Sequence, residues 1–124
     1  MVELLNARRV VARPEVLDRA VWPEGSAVMR LAPDDVLVLG EGTVVIDDPH
    51  AIVADEPGFS AVELDETRVL EILGRHAGWE PPTHRPCLAQ GMVAGLPLKV
   101  WFDQGRALLI VPTPFAHELE DRLR

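Results

Sequence analysis

The chain has 124 residues, 48% of them apolar and 26% charged, which fits one ordinary domain with its own core and excludes a disordered chain. Its formal net charge of −8 argues against general nucleic-acid binding and against docking on anionic membranes, since both surfaces repel an acidic protein. The lone cysteine, Cys87, rules out an internal disulfide and predicts a reducing, cytoplasmic setting. No apolar run approaches the ~20 residues of a bilayer span, and Met-Val-Glu-Leu-Leu-Asn at the start has no signal-peptide pattern.

Residues 1–124 are expected to form a single domain, with residues 1–12 as either a brief edge strand or a loosely held N-terminal arm. Arg13-Pro14 opens a short helix, because proline suits the first helical position; Val16, Leu17, Ala20 and Val21 then share one face, and Pro23 and Gly25 end it. Ser26 to Leu31 and Val36 to Leu39 read as antiparallel strands joined by the turn Ala32-Pro33-Asp34-Asp35. After Gly40-Glu41-Gly42, Thr43 to Ile46 is expected as a third short strand or extended segment, and Ala51 to Ala54 as a further strand. Asp55-Glu56-Pro57-Gly58 is a turn signal.

Phe59 to Leu64 reads as a strand. Asp65 is placed to cap a helix from Glu66 to about Ala77, with Val69, Leu70, Leu73 and Ala77 as its apolar stripe, Ile72 and His76 at the edge, and Gly78 as its stop. A stiff proline-rich connector, Glu80 to Pro86, is not expected to divide domains. A meander follows. Leu88 to Val93 turns at Ala94-Gly95 into Leu96 to Phe102, and Asp103-Gln104-Gly105-Arg106 turns into Ala107 to Val111, which is apolar on both faces as a central strand would be. Leu96, Leu98, Val100 and Phe102 alternate onto one face, and Pro97 implies an unpaired N–H side at an edge or strand end. Thr113-Pro114 starts a closing helix with Phe115, Leu119 and Leu123 buried and Glu118 and Arg122 paired. Several strands with few helices and short connections predict an α+β fold, a mostly antiparallel sheet with helices packed on it.

These segments together resemble the gamma subunit family of heterotetrameric sarcosine oxidase, related to the folate-binding aminomethyltransferase of the glycine cleavage system. Arg30-Leu31-Ala32-Pro33-Asp34-Asp35-Val36-Leu37-Val38-Leu39-Gly40 is similar to that family's strand–turn–strand pattern. Phe59 to His76, Arg85 to Trp101 and Ala107 to Leu123 resemble its later strand and helix segments, so the likeness runs over residues 26 to 123. It implies a ferredoxin-like arrangement and a subunit that assembles and supports an amine-oxidising, one-carbon enzyme complex, while other subunits carry the flavin and dinucleotide chemistry. It also implies folate as an alternative ligand, although a solitary chain of this length is not expected to build that pocket.

No motif in the chain is sufficient for catalysis or for holding a cofactor, so no catalytic residue, cofactor or metal is assigned. Asp47, Asp48 and His50 could chelate a hard cation, but adjacent turn residues seldom converge on one ion, and a solvated turn is favoured. Cys87, near His84 and Arg85, is favoured as a packed small residue over a reactive thiol. His76 and His117 are expected as partly buried, hydrogen-bonded side chains. Gly40-Glu41-Gly42 lacks the third glycine and the helix of a phosphate loop. Core packing is favoured for Trp22, Trp79 and Trp101, yet Trp101 with Pro97 and Lys99 is the face on which a protein partner, another subunit or a second copy, is expected.

Overall fold

The structure is a computed structural model that describes residues 1–123. In chain order its elements are β1 (Glu3–Leu4), β2 (Ala7–Val11), α1 (Pro14–Arg19), β3 (Ala27–Ala32), β4 (Asp35–Leu39), β5 (Ile52–Glu56), β6 (Phe59–Asp65), α2 (Glu66–His76), β7 (Cys87–Val93), β8 (Leu96–Asp103), β9 (Arg106–Pro112), a 3-10 turn at Thr113–Phe115 and α3 (Ala116–Arg122). They fall into two units. The larger combines Met1–Leu5 with the residues from Gly58 onward; the smaller is Asn6–Pro57. Each has one sheet in which every pairing is antiparallel, so the fold is α+β with antiparallel sheets, as expected.

In the larger unit the strand order is β1-β6-β9-β8-β7. The meander forms because Ala94-Gly95 and Gln104-Gly105 take positive φ at both residues (52° and 80°; 50° and 77°), the two-residue turn whose twist suits a hairpin. On β8 the alternation holds through the strand: Leu96, Leu98, Val100 and Phe102 are buried, and Pro97, Lys99, Trp101 and Asp103 are not. Pro97 sits at the strand's start, before the pairing with β9 begins at Lys99, so its missing N–H costs no ladder bond. β9 lies between β6 and β8, with Ala107, Leu109, Ile110 and Val111 all buried. Val69, Ile72 and Leu73 of α2 and Leu119 of α3 join Leu98, Val100, Phe102 and Leu109 in one core, where each fully buried large side chain stabilises the fold by about 1.5–3 kcal/mol over its exposed state.

Four local expectations change here. α2 buries Val69, Ile72 and Leu73 and exposes Leu70, because a spacing of three and four residues brings Ile72, not Leu70, onto the sheet-facing stripe. Asp65 makes no side-chain cap; its carboxylate takes Arg106 instead, and Gly105 O accepts the Glu66 N–H at 2.9 Å. Ala77 ends α2 by turning extended (φ −113°, ψ 142°), so Gly78 is not a left-handed stop. Thr113 does not cap a helix: its hydroxyl meets Ser60, the one buried polar residue among the described residues, at 3.1 Å.

In the smaller unit the strand order is β3-β4-β2-β5. Residues 1–12 supply paired strands to both sheets: β1 is the brief edge strand expected there, at the end of the larger sheet, whereas β2 is an inner strand, with Val10 facing Val36 on one side and Val53 on the other. Val10, Leu17, Val36 and Val38 form its core, with Trp22, Val28, Val44 and Ile46 packed against them. A register shift between Arg30 and Ala32 makes Leu31 a bulge. The Arg30 guanidinium spans this corner, donating to Pro33 O at 2.6 Å and to Asp18 of α1 at 3.0 Å. Thr43 to Ile46 does not join the sheet: β4 already has β3 and β2 on its two sides, and Val45 makes only an isolated bridge with Val21. That bridge draws Val21 off the predicted helix, which stops at Arg19. Asp55 and Glu56 belong to β5, and the chain turns at Pro57-Gly58.

Candidate functional site

Pro97, Lys99 and Trp101 lie on the sheet face opposite the core because their strand neighbours Leu98, Val100 and Phe102 take the inward positions. Across the register they stand beside Met92, Gln90 and Leu88 of β7, and beyond Lys99 and Trp101 come Ile110 and Leu108 of β9. Lys99 Nζ donates to Gln90 Oε1 at 3.1 Å and stands 5.4 Å from the centre of the Phe59 ring, a cation–π contact that holds its charge in place. Ile110, in the middle of this face, is fully buried, so the freely exposed apolar area is its Met92–Pro97 end, where Met92 is 55% exposed.

The other residues singled out from the sequence are dispersed. The Asp48 carboxylate accepts the His50 N–H at 2.8 Å, closing a local turn, and lies 3.6 Å from Arg13. No group of three or more His, Cys, Asp or Glu among the described residues is placed to hold a metal ion. Cys87 is buried at the start of β7, with Arg85 Nη1 3.4 Å from its sulfur. That arginine is already committed: it pairs with Glu66 at 2.5 Å and lies 4.4 Å over the Phe102 ring. His76 and His117 are exposed rather than partly buried; the backbone turns both outward from the stripes they flank. Trp22 and Trp79 are half-buried against their units' cores, and Trp79 Nε1 donates to Met92 O at 3.0 Å.

Gly40-Glu41-Gly42 is a turn, with φ of 128° and 113° at its glycines. Arg8 donates to Gly42 O at 2.5 Å and to Gly40 O at 2.9 Å, and these residues with Asn6 and Asp55 line a cleft of about 410 Å³. A second groove, about 320 Å³, runs between α2 and the proline-rich connector and is lined by Leu70, Leu73, Trp79, Pro81, Pro82 and Arg85.

Two charged clusters escaped the sequence. Arg9 of β2 forks onto Asp35 of β4, with Nε and Nη2 each at 2.6 Å from its carboxylate oxygens, and reaches Glu56 of β5 at 3.0 Å. The Asp35 hydrogen bond, opposed by desolvation and helped by the two negative charges, holds the Arg9 guanidinium above its ordinary pKa. Only strand register brings these three together. The second cluster, Arg68, Arg75, His76 and Arg122, lines a small cleft at α2 and α3; the helical spacing of its first three members was its visible sign.

Comparison with protein-family models, with curated proteins and with solved structures finds no match for this chain. Among the described residues no helix is long and apolar enough to cross a membrane.

Proposed function

We propose that this chain is a non-catalytic subunit, or subunit-like protein, of the sarcosine oxidase gamma type, which supports assembly of an amine-oxidising, one-carbon enzyme complex by binding its other subunits. The observation that supports this most is one of the two outer strands of the smaller sheet, β5. β5 ends that sheet, pairs only with β2, and carries Ile52 and Val53 at 59% and 45% exposure. An edge strand with exposed apolar side chains is suited to accept a strand from another chain. The Met92–Pro97 end of the larger sheet, beside Lys99 and Trp101, is the second surface in this proposal.

The ferredoxin-like arrangement belongs to the same proposal. What supports it is α2 lying between β6 and a three-strand meander on one antiparallel sheet. The larger unit departs from a β-α-β-β-α-β plan in that α3 follows its last strand instead of preceding it, so comparison with a solved gamma subunit is its test. Folate-type small-molecule binding is the alternative. It is favoured by the groove at Trp79, whose volume of about 320 Å³ lies within the range of small-molecule sites.

The test is affinity purification of the tagged full chain from its native cells, with the co-eluting chains identified by mass spectrometry. Recovery of flavoprotein oxidase subunits, lost in a Val53→Lys variant that still folds, is the expected result. Recovery of the chain alone at its monomer mass, together with a thermal shift on adding tetrahydrofolate, would favour the alternative.

A further inference from the structure

α2 carries Arg68, Ile72, Arg75 and His76 at relative positions 0, 4, 7 and 8, which puts all four on one face of the helix. With Arg122 and Leu123 at the end of α3 they line a cleft of about 110 Å³. The chain has 20 acidic residues against 12 Lys and Arg, so a cleft bounded by three arginines and a histidine runs against the sign of the whole protein. Stabilisation of helix ends accounts for part of this: Arg75 and His76 occupy the last turn of α2, and Arg122 the last turn of α3. It does not account for Arg68, which stands in the first turn of α2, where the helix dipole disfavours a cation.

Only Arg122 among these cations is closely paired with a carboxylate. Arg68 Nη1 is 3.9 Å from Glu71, too far for a hydrogen bond, and its Nη2 reaches Leu123 O only at 3.4 Å. Arg122 is held by Glu118 at 3.1 Å and by Ala94 O, which fixes it at the rim. The side chains of Arg75 and His76 have no hydrogen bond or ion pair among the described residues, although Arg75 borders the same cleft.

We propose that this cleft binds a small oxyanion of the phosphate type. Planar guanidinium forks match the oxygens of such a group better than any other common side chain. The cleft is well below the ~300 Å³ at which sites for whole small molecules begin, so it takes the anionic group itself, as free phosphate or as the phosphate of a larger molecule. This proposal stands independently of the subunit function above.

The test is an NMR titration of the full chain with inorganic phosphate at constant ionic strength, with chloride as the control. The expected result is saturable shifts confined to the backbone amides of residues 68–76 and 122–123. Arg75→Gln should weaken binding about tenfold or more, as loss of one charged hydrogen bond does, with an unchanged thermal midpoint, and Arg75→Lys should recover part of the loss. A phosphomonoester such as phosphoserine then separates the sources: tighter binding than phosphate points to an esterified ligand, equal or weaker binding to the free anion. Non-saturating shifts, an equal response to chloride, or unchanged affinity in Arg75→Gln would overturn the proposal.

Discussion

Gly91 lies under the indole of Trp79, and replacing it with alanine puts a defined strain on the larger unit. A Cβ at position 91 would stand 2.5 Å from Trp79 Nε1, 2.6 Å from Cε2 and 3.0 Å from Cζ2. Carbon atoms pack at about 3.5–4.0 Å, so the ring must retreat by roughly 1 Å. The Nε1 hydrogen bond to Met92 O, now 3.0 Å, would lengthen past hydrogen-bonding range. Losing it costs about 1 kcal/mol, and the overpacking adds about 1–3 kcal/mol. The restriction that alanine places on the unfolded chain offsets about 0.5–1 kcal/mol. The expected net loss is about 1–3 kcal/mol, a fall in thermal midpoint of roughly 4–10 °C for a chain of this size. Urea unfolding followed by far-UV circular dichroism reads it. The decisive comparison is the same substitution in a Trp79→Ala background, where the three atoms nearest the new methyl are gone and Gly91→Ala should be neutral or slightly stabilising. Equal losses in both backgrounds, within about 0.5 kcal/mol, would refute the assignment of the strain to the indole.

Two further outcomes follow from the geometry. Gln104 holds φ of 50° in the β8–β9 turn, a backbone that asparagine and glycine tolerate better; Gln104→Asn should therefore stabilise the protein by about 0.5–1 kcal/mol, measured as a rise in urea midpoint at unchanged slope, and a lower midpoint would contradict the turn assignment. Arg9→Met removes the cation between Asp35 and Glu56, whose side chains are 20% and 23% exposed. Allowing for that residual solvent, the loss should be about 1–2 kcal/mol, and Arg9→Met with Asp35→Asn should recover part of it. A cost below about 0.5 kcal/mol would mean that the pair behaves as an exposed one.

The larger unit was the more legible part of the sequence because its information is local. The alternation of Leu96, Leu98, Val100 and Phe102, the Gly-containing two-residue turns, the apolar run through Val111 and the Glu118–Arg122 pair each depend on residues a few positions apart, and all are present in the structure. The smaller unit was harder to see. Arg8 and Arg9 interrupt the apolar pattern of residues 7–11, so the segment lacks the alternation of a strand; it is an inner strand because β4 and β5 arrive on its two sides from later in the chain, and because Gly40, Gly42, Asp35 and Glu56 satisfy the two arginines. Conversely, Thr43 to Ile46 has the composition of a strand and makes only the single bridge at Val45, since the ladder it would extend is already occupied.

The sequence by itself determined the α+β class, the meander and the inward row of Leu96, Leu98, Val100 and Phe102, because period-two patterning decides which side chains share a sheet face; Trp101, favoured for the core, stands instead on the outward row with Pro97 and Lys99. It could not determine how free that row is. That depends on Phe59 and Gln90 reaching Lys99 and on the full burial of Ile110 on the neighbouring strand, contacts set by how the strands pair. The Arg9 triad and the arrival of Arg122 beside Arg68 and Arg75 have the same origin: charges far apart in the chain become neighbours only when strands register and helices pack, and no local pattern encodes that distance.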